Sequence, residues 1–281
     1  MNNVVLIYNS NKQKSVDLAH KIETVLQKEG IKTTICKTGS NNSELQKLNG
    51  NLELAIVLGG DGTLLGASRA LAPKGIPLFG INTGRLGFLT EGDGKHFEEN
   101  IDRVLNNKFE IEERAMLSSV IVDKSGVEKG TLIALNEAVI SRGISNKMIY
   151  MTLNVDDTPV ADYWSDGLII STPTGTTAYA LSAGGAIVDP LISGIEIVPI
   201  CAHSLTSRPH IISDSRKITI TFKEAYEGVI LQTDGHEIFN LSPESRVEIK
   251  RAKHNAKLIR LQGNENNFYW RIRQKFHWGK A

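Results

Sequence analysis

Over the first hundred residues, continuous apolar runs alternate with apolar positions at helical spacing. "VVLIY" near the start is uninterrupted, as a strand buried on both faces requires. Val16, Ala19, Ile22, Val25 and Leu26 then recur on one helical face until Gly30 stops the pattern. "IKTTIC", "LELAIVL" and "IPLFGIN" read as the next strands, with a helical "TLLGASRAL" between the last two. This succession predicts βαβ units, a parallel sheet with covering helices.

From about Phe109 the period falls to two, in "LSSVIV", "TLIALNEAVIS", "MTLNV", "ITITF", "GVILQ" and "RVEIKRA". Turn signals separate these runs: Gly126 in "DKSGVEKG", Pro159 in "VDDTPVA", then "AYEG" and "LSPES". The second half is therefore expected to be mostly antiparallel β. One stretch departs from it: "TTAYALSAGGA" predicts a short helix launched from the strand "GLIIS" through the loop "TPTG". In the tail, Trp270, Phe276 and Trp278 alternate with Arg271, Arg273, Lys275 and Lys280. Such a mixture reads either as a nucleic-acid or lipid-surface patch or as a docked segment; long basic side chains cover apolar surface while their charges stay wet, so the tail is expected to dock its aromatics on the body of the protein.

Composition narrows the function classes. A length of 281 residues, 41% hydrophobic and 22% charged residues and a mean hydropathy of −0.16 describe an ordinary globular chain of about two domains. No apolar run approaches the ~18 residues of a spanning helix, and the N-terminus lacks a basic lead and a cleavage site, so a cytoplasmic protein without a membrane partner is expected. A net charge of +1 provides no general field for nucleic acid. Cys36 and Cys201 lie far apart in apolar segments and read as buried free thiols. No HExxH and no Cys/His group of zinc-ligand spacing is present, and no metal-ligand residues are assigned.

Candidate chemistry is concentrated in two glycine-rich loops. In "LGGDGTLLGA" Gly59, Gly60 and Gly62 follow a strand and open a helix, where bare backbone N–H groups can approach phosphate oxygens. Asp61 does not belong in such a cradle unless a cation or a chemical role offsets its repulsion from phosphate; the alternative is an Asx-turn or helix cap. No GxxxxGK[ST] is present, the last glycine is one place late for GxGxxG, and Asn82 stands where a ribose-binding acid would follow. The second loop, "SDGLIISTPTGTTAYALSAGG", crowds Thr172, Thr174, Thr176 and Thr177 around Gly175 at a helix start, a cradle for phosphate or ribose oxygens or simply a hydroxyl-rich cap. Tyr179 offers a face to a base or fills the core. Asn136 and Glu137 are adjacent in a strand-like run, so they can share a ligand only at a bulge or strand end; ordinary edge polarity is the other reading.

Taken in order, "GGDGTLL", "INTGRLGFL", "NEAVI", "DGLIISTPTGTTAYALSAGG" and "TDGH" resemble the NAD kinase family across nearly the whole chain, and the closing "KFHW" is similar to that family's Lys-x-x-Trp. GGDG-like loops alone also occur in lipid kinases of the diacylglycerol type and in phosphofructokinases. The resemblance implies transfer of the γ-phosphoryl group of ATP to the 2'-hydroxyl of the adenosine ribose of NAD, giving NADP. Asp61 would be the general base, since a ribose hydroxyl keeps its proton at neutral pH and needs an acceptor as the P–O bond forms. A divalent cation, Mg2+, would arrive with ATP and offset the repulsion.

By the same resemblance Asn136 and Glu137 hold the acceptor dinucleotide, with Asp166, Thr174, Thr177, Ala178, Tyr179 and Ser182 around its adenine, ribose or nicotinamide portions. Lys147, Trp164 and His236 occupy positions that line the same site, where residue types vary within the family. Ala186 stands where proline is common, and Trp164 where a basic residue often precedes "SDG". Pattern and resemblance together imply an α/β plus all-β chain. A Rossmann-like α/β domain with the GGDG loop is expected over 1–108, a β-sandwich-like NAD-binding domain over 109–262, and a segment 263–281 docking back on the first. A homodimer or homotetramer is implied as well.

Overall fold

The structure is a computed structural model that describes residues 1–38, 43–48, 51–224, 227–263 and 267–277. It separates into two compact units, 1–114 with 254–281, and 115–253. "AYEG" lies partly outside the described residues, and Trp278 and Lys280 lie wholly outside them.

The first unit follows the alternating pattern. Strand β1 (Asn3–Asn9) leads to helix α1 (Gln13–Lys28), β2 (Lys32–Thr38), a short α2 (Ser43–Gln46), β3 (Leu54–Gly59), α3 (Asp61–Leu71), β4 (Leu78–Asn82), a two-residue β5 (Gly92–Asp93), α4 (Phe97–Leu105) and β6 (Phe109–Arg114). Gly30, at φ +73, takes the left-handed conformation that turns the chain from α1 into β2. Strands β2, β1, β3 and β4 run parallel in that order. Every residue of β3 is buried, because α1 and α4 cover one face of the sheet and α3 the other; Leu54, Ile56 and Leu58 share one core cluster with Leu18, Ile22 and Ile101, while Leu64 of α3 lies against the opposite face at Gly80. Burying each such aliphatic side chain contributes about 1.5–3 kcal/mol.

In the second unit the strands are β7 (Leu117–Val122), β8 (Glu128–Ala134), β9 (Glu137–Ser141), β10 (Ile149–Val155), β11 (Thr158–Ser165) and β12 (Gly167–Ser171). After a one-turn α5 (Tyr179–Ser182) come β13 (Gly194–Ile200), β14 (His210–Ser213), β15 (Ile218–Phe222), β16 (Ile230–Thr233), β17 (Glu237–Asn240) and β18 (Arg246–Arg251). Among the described residues they form two six-stranded antiparallel sheets, β11-β10-β15-β18-β7-β8 and β14-β13-β12-β9-β16-β17. Alternate residues of both, such as Met151, Leu153, Ile220 and Val247 against Ile140, Leu168, Ile170 and Ile197, meet in one core, as a sandwich requires. The other face of β12 is also dry: Ile169 packs with Val139, Val198 and Ala180 of α5. That explains why Leu168, Ile169 and Ile170 of "GLIIS" are apolar in succession and do not alternate.

The chain then returns to the first unit with β19 (Ala256–Leu261) and α6 (Phe268–Phe276). β19 lies between β4 and β6, antiparallel to β6 over six residue pairs from Ala256↔Arg114 to Leu261↔Phe109. The unit boundaries fall at 114/115 and 253/254, where pattern and resemblance together placed them at 108/109 and 262/263. Alternation in "FEIEER" marks a strand but not the sheet it joins; its partner lies some 140 residues away, beyond the reach of local pattern. In α6 the Phe88 ring meets Phe268 and Phe276 at 6.5 and 5.9 Å, with Lys275 Nζ 4.4 Å from its centroid. Both cysteines are free, as read, but only Cys36 is buried, which pushes its thiol up to about 11; Cys201 stands exposed in the bend after β13. Among the described residues no helix is long and apolar enough to cross a membrane.

Candidate active site

The glycine loop joins β3 to α3. Gly59 ends the strand, where a Cβ would overlap the Thr63 side chain; Gly60 is the N-cap in extended conformation, and exposed Gly62 follows in the first turn. Asp61 is the first residue of α3, and its side chain bonds outside the helix. Its half-buried carboxylate reaches a distant segment instead: Phe88 N–H donates to Oδ2 at 2.8 Å and Leu89 N–H to Oδ1 at 3.1 Å. A carboxylate has about four lone-pair sites, so two acceptor positions remain for an incoming hydroxyl. Gly87 makes this approach possible, since a Cβ there would overlap Asp61 Oδ1 and stand 2.8 Å from its Cγ. "INTGRLGFL" thus has a physical role that its composition did not disclose: it holds the acid.

In the second unit the polar residues gather where β8 ends and β9 begins. Asn136 falls between the two strands, the strand end that a shared ligand would need. Asp234, at φ +48 in the turn after β16, accepts from Leu135 N–H at 3.0 Å, Asn136 N–H at 2.8 Å and Glu137 N–H at 3.3 Å. Sequence reasoning quoted "TDGH" as a motif without assigning this acid; an Asp-Gly pair at a positive-φ turn was the available signal. Glu137 is buried, with Oε2 unpartnered among the described residues. Burial, and then the neighbouring Asp234 charge, push its carboxyl up to about 8 against an opposing hydrogen bond from Tyr179 N–H.

The threonine loop is largely structural. Thr172 Oγ1 donates to Leu135 O at 2.6 Å and accepts from Gly175 N–H at 3.1 Å. Thr176 Oγ1 donates to Pro173 O and accepts from Val188 N–H. Both hydroxyls are spent on backbone, and Thr177 Oγ1 donates to Thr174 O at 3.4 Å, so at least three of the four hydroxyls already have backbone partners. The expected helix also differs: a 3-10 turn over Thr174–Thr177 precedes the one-turn α5, because Gly175 is pressed against Asn136 O and the chain must bend sharply. This start is too short to serve as a helix-terminal phosphate site.

Tyr179 and Ser182 are exposed and Ala178 half-buried beside them, so the Tyr179 ring is available to stack rather than part of the core. Asp166 is oriented by Arg142, whose Nε stands 2.9 Å from Oδ1. Lys147 and Trp164 line a cleft of about 520 Å3 with Asn146, Met148, Tyr150 and Glu224, and the Trp164 ring lies 5.6 Å from that of His203. His236 is exposed in the Asp234 turn, its N–H donating to Thr233 O.

Comparison with known proteins gives consistent results. The model of the ATP-NAD kinase N-terminal domain matches residues 40–109, and that of the ATP-NAD kinase C-terminal domain matches 135–261. The chain is 42% identical over 226 residues to an NAD kinase of Symbiobacterium thermophilum, covering 80% of this chain and 79% of that one. It is 37% identical to NAD kinase 2 of Thermosynechococcus vestitus, covering 98% and 94%. Among solved structures, an NAD kinase from Archaeoglobus fulgidus in complex with ATP superposes with a TM-score of 0.75 at 26% identity, covering 98% and 97%. Yeast NADH kinase complexed with NADH shares the fold, with a TM-score of 0.89 at 22% identity, covering 100% and 89%. With the glycine loop, the Asn136–Glu137 junction and the threonine loop all inside the matched regions, the chain belongs to the NAD kinase family.

Proposed function

We propose that the chain transfers the γ-phosphoryl group of ATP to the 2'-hydroxyl of the adenosine ribose of NAD, with Asp61 as general base. The observation that carries the reading is the held carboxylate of Asp61: two amide donors fix its orientation, and free acceptor positions remain on a glycine loop open to a nucleotide. The base removes the hydroxyl proton as the new P–O bond forms, and positioning rather than covalent chemistry supplies most of the acceleration. Asn136 and Glu137 hold the dinucleotide acceptor. A carboxyl raised to about 8 retains its proton near neutrality, so Glu137 donates to a ligand oxygen as well as accepting from a hydroxyl. Asp166, Thr174, Thr177, Ala178, Tyr179 and Ser182 contact the remainder, with Tyr179 stacking on a ring, and Lys147, Trp164 and His236 complete the lining.

Among the described residues no group of three or more His, Cys, Asp or Glu side chains could hold a metal ion. A cation carried by the nucleotide phosphates, Mg2+, would neutralise charge on the transferring group and offset its repulsion from the Asp61 carboxylate.

The test is Asp61→Asn, assayed by NADP formation from ATP, Mg2+ and NAD. The variant is expected to stay folded and bind NAD within about threefold of wild type, with kcat reduced roughly 10²- to 10⁴-fold. Turnover within fivefold of wild type would remove Asp61 from the chemistry. Absence of NADP formation by the wild-type enzyme would overturn the reaction itself.

A further inference from the structure

The tail helix carries an arginine that the proposed reaction leaves unused. Arg271 of α6 is buried, 3% exposed, and its guanidinium lies against the segment 87–91. Nη1 donates to Gly87 O at 3.1 Å and to Thr90 O, while Nη2 pairs with Glu91 Oε2 at 2.9 Å. Arg260 of β19 grips the same segment, donating from Nη1 to Leu89 O at 3.1 Å and to Glu91 Oε2 at 3.2 Å. The carbonyl oxygens of Gly87, Leu89 and Thr90 are thus held by two arginines, and the N–H groups of Phe88 and Leu89 hold Asp61.

One peptide unit links the two ends. Gly87 C=O and Phe88 N–H belong to the same trans amide, so they point in opposite directions: the oxygen accepts from Arg271 and the hydrogen goes to Asp61 Oδ2. A cation on the carbonyl polarises the amide and strengthens its N–H as a donor. The planar fork also fixes the plane of the peptide, which a point-charge ammonium does not.

We propose that Arg271 is a positioning residue for Asp61, acting through the Gly87–Phe88 peptide. The proposal rests on the reading of Asp61 as the base. Burying a guanidinium costs desolvation, which together with the neighbouring Arg260 charge lowers the Arg271 pKa; Glu91 and, less strongly, Asp61 and Glu112 oppose the shift. The bland account is that Arg271 merely fastens the tail to its unit, and it predicts a different response to substitution.

The experiment is a double-mutant cycle on the full chain with Arg271→Lys, Asp61→Asn and the pair, reading kcat, KM for NAD and Tm. Arg271→Lys is expected to lower kcat about tenfold with KM for NAD within twofold, and to change kcat less than twofold in the Asp61→Asn background. Equal effects in both backgrounds, or a loss confined to Tm or KM, would overturn the proposal. A small effect of Asp61→Asn by itself refutes the base rather than the arginine, so the two failures are separable. Should Arg271→Lys not fold, Arg271→Gln keeps an amide donor for the carbonyls, with Glu91 still paired to Arg260, and is read in the same way. Failure of both to fold assigns the residue to tail attachment and overturns the proposal.

Discussion

A methyl group on Gly87 would have nowhere to go: it would overlap the Asp61 carboxylate and come within 2.9 Å of Thr90 Oγ1. The obstacle is the far end of a side chain, so Gly87→Ala is expected to rotate Asp61 off the Phe88 and Leu89 amides while the apolar core stays put. Turnover should fall at least tenfold, at a stability cost of about 1–3 kcal/mol, typical of overpacking. A fully active Gly87→Ala enzyme would show that the held orientation is irrelevant. At this scale the sequence was partly legible. An acid among glycines identified Asp61, because the residue type conflicts with phosphate and demands a reason. Arg271 was read as a solvated cover for aromatics; its burial depends on Glu91 and on carbonyls some 180 residues earlier, which composition does not reveal.

At the scale of elements, the β8–β9 junction shows how a strand end becomes polar and buried together. Asp234 takes the three amides of Leu135, Asn136 and Glu137, Gly175 lies against Asn136 O, and the Glu137 carboxyl is enclosed next to the Asp234 charge. The folded protein keeps a proton on Glu137 that the unfolded chain, with the ordinary value of 4.5, releases. Because the native state then binds more protons, stability falls as pH rises from 4.5 through about 8. Urea midpoints of ligand-free protein between pH 5 and 8.5 should slope downward, and Glu137→Gln should remove that slope; an unchanged slope in the variant would assign it to other groups. Period-two alternation ran through "TLIALNEAVIS" as one strand. The structure divides it between two sheets at Leu135 and Asn136, since a strand signal carries no information on where pairing partners change.

For the whole molecule, the order of strands matters more than their number. β19 fills the gap between β4 and β6, so the first unit is closed by residues that follow the entire second unit. A chain ending at Lys253 is expected to lose protease protection over 1–114, whose sheet lacks an inner strand, while 115–253 keeps both of its sheets and resists cleavage. Equal protection of both parts would show that β19 is dispensable. By itself the amino-acid order determined the parallel α/β beginning, the antiparallel β body, the two glycine loops and the family, because periodicity and loop chemistry are properties of neighbouring residues. Tertiary structure alone decided which sheet receives "FEIEER", which threonine hydroxyls are spent on backbone, and that the tail arginine and the Asp61 carboxylate share one peptide. The strand pairing, the Thr172 bond to Leu135 and the Arg271 contacts depend on partners far along the chain, and the Thr176 bonds to Pro173 and Val188 on a 3-10 turn that forms only where Gly175 meets Asn136 O; periodicity carries no record of either.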